Sequence, residues 1–215
     1  ALLKDRARKR CLSIVVACRV IAVSRLSALL QDIQQCRLCA AALPFAPKPV
    51  VQLDASARLL IIGQAPSLTV QHTGIAWNDA SGERLRDWLG VDTQTFYDPQ
   101  RVAVMPMGFC YPGRGVSGDL PPRQECAPQW HEQILMALPN IRLTLLIGQY
   151  AQAYYLRKGK YRTLTERVRS WHEQPETLMA LPHPSPRNQF WLKKNPWFEQ
   201  DVLPILKQRV KRCLA

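Results

Sequence analysis

The chain has 215 residues, 47% hydrophobic and 21% charged, enough for one compact unit with a real core and ordinary for a globular protein. That excludes a fully disordered, collagen-like or coiled-coil chain. The 29 Lys and Arg outnumber the 16 Asp and Glu to leave a net charge of +13, which points to an acidic partner, nucleic acid or an anionic membrane surface.

The surplus is uneven. Residues 1–25 hold Lys4, Arg6, Arg8, Lys9, Arg10, Arg19 and Arg25 against Asp5 alone. Residues 1–23 are read as a basic leader, disordered or merely solubilising, ahead of a single domain over residues 24–215. Cys11 to Val23 is too short to span a membrane and is interrupted by Arg19. A basic start followed by apolar residues resembles a signal peptide, but Ser24–Gln35 then reads as an ordinary helix, so a cytoplasmic protein is expected. Seven cysteines is an odd count for a secreted disulfide scaffold. Nothing suggests a dimer interface, and a monomer is expected.

Ser24–Gln35 has apolar residues at helical spacing and a Ser at its start; it runs into Cys36-Arg-Leu-Cys39. Residues 40–57, rich in Ala and Pro, read as a loop. Arg58–Gly63 is a short apolar run ending in Gly, the pattern of a strand buried on both faces. Arg101–Met105, Arg142–Gly148 and Thr177–Leu181 match it. Helical stretches lie between and after them: Ser81–Leu89, Arg123–Leu138 with its start delayed by an internal Pro, Gln149–Arg157 and Glu199–Lys211. Strands alternating with helices predict a four-stranded, mostly parallel sheet covered on both faces.

Ligands of such sheets bind outside the carboxyl ends of the strands. Three polar segments fall there: Gly63-Gln64-Ala65-Pro66-Ser67, Pro106-Met-Gly-Phe-Cys110, and Pro182-His183-Pro184-Ser185-Pro186-Arg187-Asn188. They are expected to converge on one rim. Prolines stiffen the last loop and can hold the His183 imidazole at a fixed point. Trp77, Asn78 and Asp79 stand together before a helix: Trp77 can stack on a flat ligand and Asp79 can orient or deprotonate a water. They read equally as a hydrophobic anchor beside the helix caps Asp79 and Ser81. Cys36 and Cys39, with the more distant Cys110 and Cys126, can supply four thiolates to zinc or to a [4Fe–4S] cluster; the wide second spacing suits the larger cluster. Four unrelated buried thiols are the other reading. Cys11, Cys18 and Cys213 look incidental.

With these motifs in this order, the chain resembles the iron–sulfur uracil-DNA glycosylases, families four and five, over roughly Cys36 to Leu206. Gly63–Ser67 is similar to their first motif, His183-Pro184-Ser185 to their His-Pro-Ser motif, Asp79-Ala80-Ser81-Gly82 to the Gly-Asp-x-Ser-Gly stretch of family five, and the four cysteines to their cluster ligands. The resemblance implies a three-layer α/β/α sandwich and a monofunctional glycosylase that removes uracil or a related deaminated base from DNA in base-excision repair. It implies that His183 donates to the departing base and that Asp79 places or activates the water. By the same resemblance Gly63, Gln64, Ala65, Pro66, Ser67, Trp77 and Asn78 form the base pocket. Ser185, Pro186, Arg187 and Asn188 hold the DNA, and Cys36, Cys39, Cys110 and Cys126 hold a structural [4Fe–4S] cluster. Two positions depart. Pro106 stands where family four carries an Asn that reads the uracil edge. Gln64 stands where it has Glu, and Gln cannot act as a base. A catalytically inactive, iron–sulfur DNA-binding module is therefore the second reading.

Overall fold

The computed structural model describes residues 25–116, 118–157 and 159–215; the predicted basic leader, with Cys11 and Cys18, lies outside them. Four strands form one parallel sheet: β1 (Leu59–Ile62), β2 (Val102–Val104), β5 (Leu143–Ile147) and β6 (Leu178–Leu181), in the order β2-β1-β5-β6. A separate antiparallel hairpin joins β3 (Arg114–Gly115) to β4 (Gly118–Asp119). The helices are α1 (residues 25–34), α2 (Leu68–Thr73), α3 (Ala80–Leu89), α4 (Thr93–Tyr97), α5 (Cys126–Ala137), α6 (Gly148–Tyr155), α7 (Leu164–Arg169), α8 (Gln189–Lys194) and α9 (Leu203–Leu214).

Alternation along the strands divides the core in two. Leu59 and Ile61 of β1 face the same layer as Leu85, Trp88, Val168, Phe198, Leu206 and Val210, so α3, α7 and α9 cover that face. Leu60 and Ile62 face Leu26, Leu29, Ile33, Trp130, Ile134 and Ala151, so α1, α5 and α6 cover the other. This is the predicted α/β/α sandwich. All four side chains of β1 are fully buried, which is why the strand reads as an unbroken apolar run.

The predicted strands each lose a residue or two at their ends, and the first four predicted helices form close to their predicted bounds. The last one is split: residues Phe198–Val202 make a wide π-type turn before α9, where Pro204 has no N–H for a regular helical bond. Residues 40–57 are not only loop. Gln52 makes an antiparallel bridge to Val104, with N–H···O distances of 3.0 and 2.7 Å, and its side chain donates to the carbonyls of Phe96 and Val102. The segment thereby covers the outer edge of β2. Among the described residues no helix is long and apolar enough to cross a membrane.

His131 of α5 is buried behind the end of β2, between the rings of Phe109 and Tyr155. Its Nε2 lies 3.1 Å from the Pro106 carbonyl and its Nδ1 2.6 Å from the Tyr155 hydroxyl. A carbonyl only accepts, so Nε2 carries the proton and Nδ1 accepts from Tyr155. Burial holds the ring neutral, with its pKa lowered to about 4. Replacing His131 by Leu strands a buried carbonyl and a buried hydroxyl, so a loss of about 3 kcal/mol is expected in urea unfolding. Tyr155→Phe, which strands only one ring nitrogen, is expected to lose less.

Candidate active site at the carboxyl edge of the sheet

The expected convergence occurs. A cleft of about 540 Å³ opens beyond the carboxyl ends of the strands. Its walls include Gly63–Ser67 after β1, Pro106 after β2, Gly148 and Gln149 after β5, and His183, Ser185, Arg187 and Asn188 after β6. Trp77 and Asp79 complete it, with Gly118 and Asp119 from the hairpin.

Trp77 organises one wall. Its backbone is left-handed at φ 57°, unlike any other non-glycine residue described, a conformation that costs free energy unless its surroundings hold it. The Trp77 carbonyl accepts from the Tyr97 hydroxyl at 3.3 Å and from Arg86 at 3.4 Å. The indole lies so close to Gly63 that a Cβ there would sit 2.8 Å from the ring, and a Cβ on Gly82 would collide with the Trp77 carbonyl. The same indole packs against His183, with ring centroids 5.5 Å apart.

The turn at Trp77 delivers Asp79 to the start of α3. One carboxylate oxygen accepts from the Gly82 N–H at 3.0 Å and the other from the Ser67 hydroxyl at 2.7 Å. Asp79 is therefore both the helix cap and a cleft wall, and the two sequence readings hold together. Asn78 departs from expectation. It is exposed and is not part of the cleft wall, because the left-handed turn at Trp77 sends the next side chain outward.

The loop after β6 is held from several sides. Gln152, fully buried, donates to the carbonyls of Leu146 and Leu181 and fixes the ends of β5 and β6 together. Asn188 donates to the His183 carbonyl at 2.7 Å, and Arg84 reaches the Pro184 and Ser185 carbonyls. The Ser185 N–H donates to His183 Nδ1 at 3.1 Å. The acceptor nitrogen cannot carry the proton, so the neutral ring bears it on Nε2. Burial lowers the His183 pKa to about 4, against the opposing pull of the Asp79 charge. Pro186, exposed, stands at the mouth of the cleft but outside its wall.

Cys36, half-buried, and Cys39, Cys110 and Cys126, all buried, are free thiols. They are near one another. Burial pushes Cys110 up to about 11 and Cys126 up to about 12, and the negative charges of the other cysteines act in the same direction. Backbone N–H groups point at two of the sulfurs, Phe109 to Cys126 at 3.5 Å and Lys48 to Cys110. The donor set, four thiols gathered from the segment just after α1, the loop after β2 and the start of α5, suits a multi-thiolate group. Among the described residues, however, no group of three or more His, Cys, Asp or Glu is arranged to hold a metal ion. Cys213 lies elsewhere, its thiol donating to the Arg58 carbonyl.

Sequence reasoning missed Asp119, Gln149, Arg84 and the Ser67–Asp79 bond. Only the hairpin left a sequence signal, the closely spaced glycines of Gly113-Arg-Gly-Val-Ser-Gly118.

A parallel α/β/α sandwich with a neutral imidazole, a carboxylate and an indole in a cleft at its carboxyl edge defines an α/β protein of the doubly covered sheet type, with the cleft where ligands of such sheets bind. Residues 50–207 match the family model described as the uracil DNA glycosylase superfamily, and the chain belongs to that superfamily. Its members are generally DNA glycosylases. The matched span contains Asp79, His183, Cys110 and Cys126; Cys36 and Cys39 precede it.

Two predictions follow from this geometry. Gly82→Ala is expected to lower the melting temperature by several degrees, since Trp77 or the start of α3 must move. The folded pKa of both His131 and His183 lies below the ordinary 6.5, so the unfolded chain binds more protons between those values. Stability is expected to be fully present above about pH 6.5 and to fall as pH drops towards 4. Melting curves across that window check it, and His183→Asn should flatten the decline.

Proposed function

We propose that the chain is a monofunctional DNA glycosylase that hydrolyses the N-glycosidic bond of uracil or a related deaminated base, as in base-excision repair. The observation that carries this is the neutral His183, its Nδ1 occupied by the Ser185 N–H, in one cleft with the Asp79 carboxylate. A target nucleotide is flipped out of the stack into the cleft. The bond from C1′ to the base breaks with its electron pair leaving on the base, and the sugar develops oxocarbenium character. His183 Nε2–H donates to the carbonyl oxygen where the negative charge collects, an electrostatic contribution that needs no proton transfer. Asp79 orients a water towards C1′ and accepts its proton as the new C–O bond forms; the expelled base anion takes a proton from solvent. The Ser67 hydroxyl, donating to Asp79, holds the carboxylate in place. Trp77 offers a face for stacking on the base. Ser185, Arg187 and Asn188, with Pro186 at the mouth, face the DNA backbone of a strongly basic chain.

Gln64 takes over the recognition that Pro106 has no side chain to give. Its carboxamide carries both a donor and an acceptor, and uracil and deaminated purines share a C=O next to an N–H. Such an edge pairs with the amide twice.

We assign the chain to the iron–sulfur branch of the superfamily, with Cys36, Cys39, Cys110 and Cys126 holding a [4Fe–4S] cluster. Such a cluster would be held by the segment after α1, the loop after β2 and the start of α5, and would supply a structural tie between them rather than a step of the hydrolysis. Anaerobically purified protein is expected to be brown and to contain iron and sulfide, and Cys36→Ala to lose iron and melt earlier. A colourless sample containing zinc would overturn the cluster assignment while leaving the glycosylase reading intact.

That Gln64 stands where family four has Glu and cannot act as a base, together with Pro106, favours the second reading, a glycosylase-like module that binds DNA without cleaving it. Oligonucleotides carrying one uracil, hypoxanthine or xanthine, treated with alkali after incubation, decide between them. Cleavage that falls about 100-fold or more in both Asp79→Asn and His183→Ala, with DNA binding retained, is the expected result. Binding without cleavage at any of the three bases would establish the module instead.

A further inference from the structure

Val116 has no role in the cleft, yet its position is unusual. It lies in the two-residue connection between β3 and β4, where Gly, Asn and Asp are favoured and a β-branched side chain is not. Val116 is fully exposed, so no packing within the described residues explains it. The hairpin beneath it is firmly built. Arg114 pairs with Asp119 and Gly115 with Gly118. The Leu120 N–H donates to the Gly113 carbonyl at 2.9 Å, Leu120 packs against Gly113 and Gly115, and the Tyr111 hydroxyl bonds to Asp119.

The hairpin is also part of the cleft mouth. Gly118 and Asp119 line it, and Gly118 lies against the guanidinium of Arg187. Arg187 thus joins the hairpin to the Pro186–Asn188 loop in one continuous ridge. The ridge carries exposed cations, Arg114 and Arg187, and exposed apolar side chains, Val116 and Leu120. Cations for phosphates beside an apolar wedge are the two features by which proteins unstack a base step. The exposed guanidiniums of Arg114 and Arg187 favour a polyanion over a protein partner on this face.

We propose that the β3–β4 hairpin is a second duplex-probing element, with Val116 entering the base stack next to the target nucleotide while the Pro186–Asn188 loop presses from its own side. The occupant is double-stranded DNA. This rests on the glycosylase reading for the identity of the flipped nucleotide but not for the insertion itself. Single-stranded DNA has no paired duplex stack to open, so the wedge should matter chiefly for duplex.

Val116→Ala and Val116→Asp test this, with wild-type protein as reference. Two readouts are used on matched single-stranded and duplex oligonucleotides containing uracil: base release, and the fluorescence of 2-aminopurine placed next to the uracil, which rises on unstacking whether or not the bond is cut. Val116→Asp is expected to slow release from duplex about tenfold more than from single strands. It should also abolish most of the fluorescence rise, with Val116→Ala intermediate. Equal effects on both substrates, or an unchanged fluorescence rise, would overturn the proposal while leaving any glycosylase activity standing. A rise that Val116→Asp removes, with no base release by wild type, would support the hairpin and overturn the glycosylase reading. If wild type neither releases base nor raises the fluorescence, both fail.

Discussion

The cleft depends on one backbone residue held where L-amino acids rarely go. Trp77 turns through the left-handed region, and three consequences follow together. The indole is laid across Gly63 and against His183. The carbonyl is folded onto Gly82 and capped by Tyr97 and Arg86. Asp79 then arrives at the start of α3 with its carboxylate between Gly82 and Ser67. The absence of a side chain at Gly63 and Gly82 permits this arrangement; both fall in the sequence motifs, but the steric reason for glycine at each needs the fold.

The second organising feature is the neutrality of two histidines. His131 on α5 and His183 after β6 each have one ring nitrogen occupied as an acceptor, by a Tyr hydroxyl or a backbone N–H. Burial keeps both uncharged. His131 spends its remaining proton on the Pro106 carbonyl and so shapes the wall from behind. His183 has its Nε2 proton directed by the same tautomer logic.

Much of this was legible in the sequence. The four apolar runs become the four strands because parallel strands are covered on both faces and cannot alternate. The proline-bounded His183 loop and the segment Gly63–Ser67 fall at strand ends, where the fold itself brings them together. The remainder depended on tertiary contacts. Asn78 looked like a neighbour of Trp77 and Asp79 in the pocket, but a positive φ at Trp77 leaves no trace in composition. The short helices α2, α4, α7 and α8 have too few turns for periodicity to register. The bridge from Gln52 to Val104 lies in a stretch whose Ala and Pro content reads as loop.

The strand order sets when the cleft can exist. The central pair is β1 with β5, and β5 pairs onward with β6, so residues 63–142 intervene between the first strand and its central partner, and β6 comes later still. Contacts so distant along the chain form slowly. On the ribosome, Gly63–Ser67 and Asp79 emerge long before His183. A nascent chain arrested after β5 would carry the carboxylate without the imidazole, and the two halves of the cleft would meet only after β6 had docked.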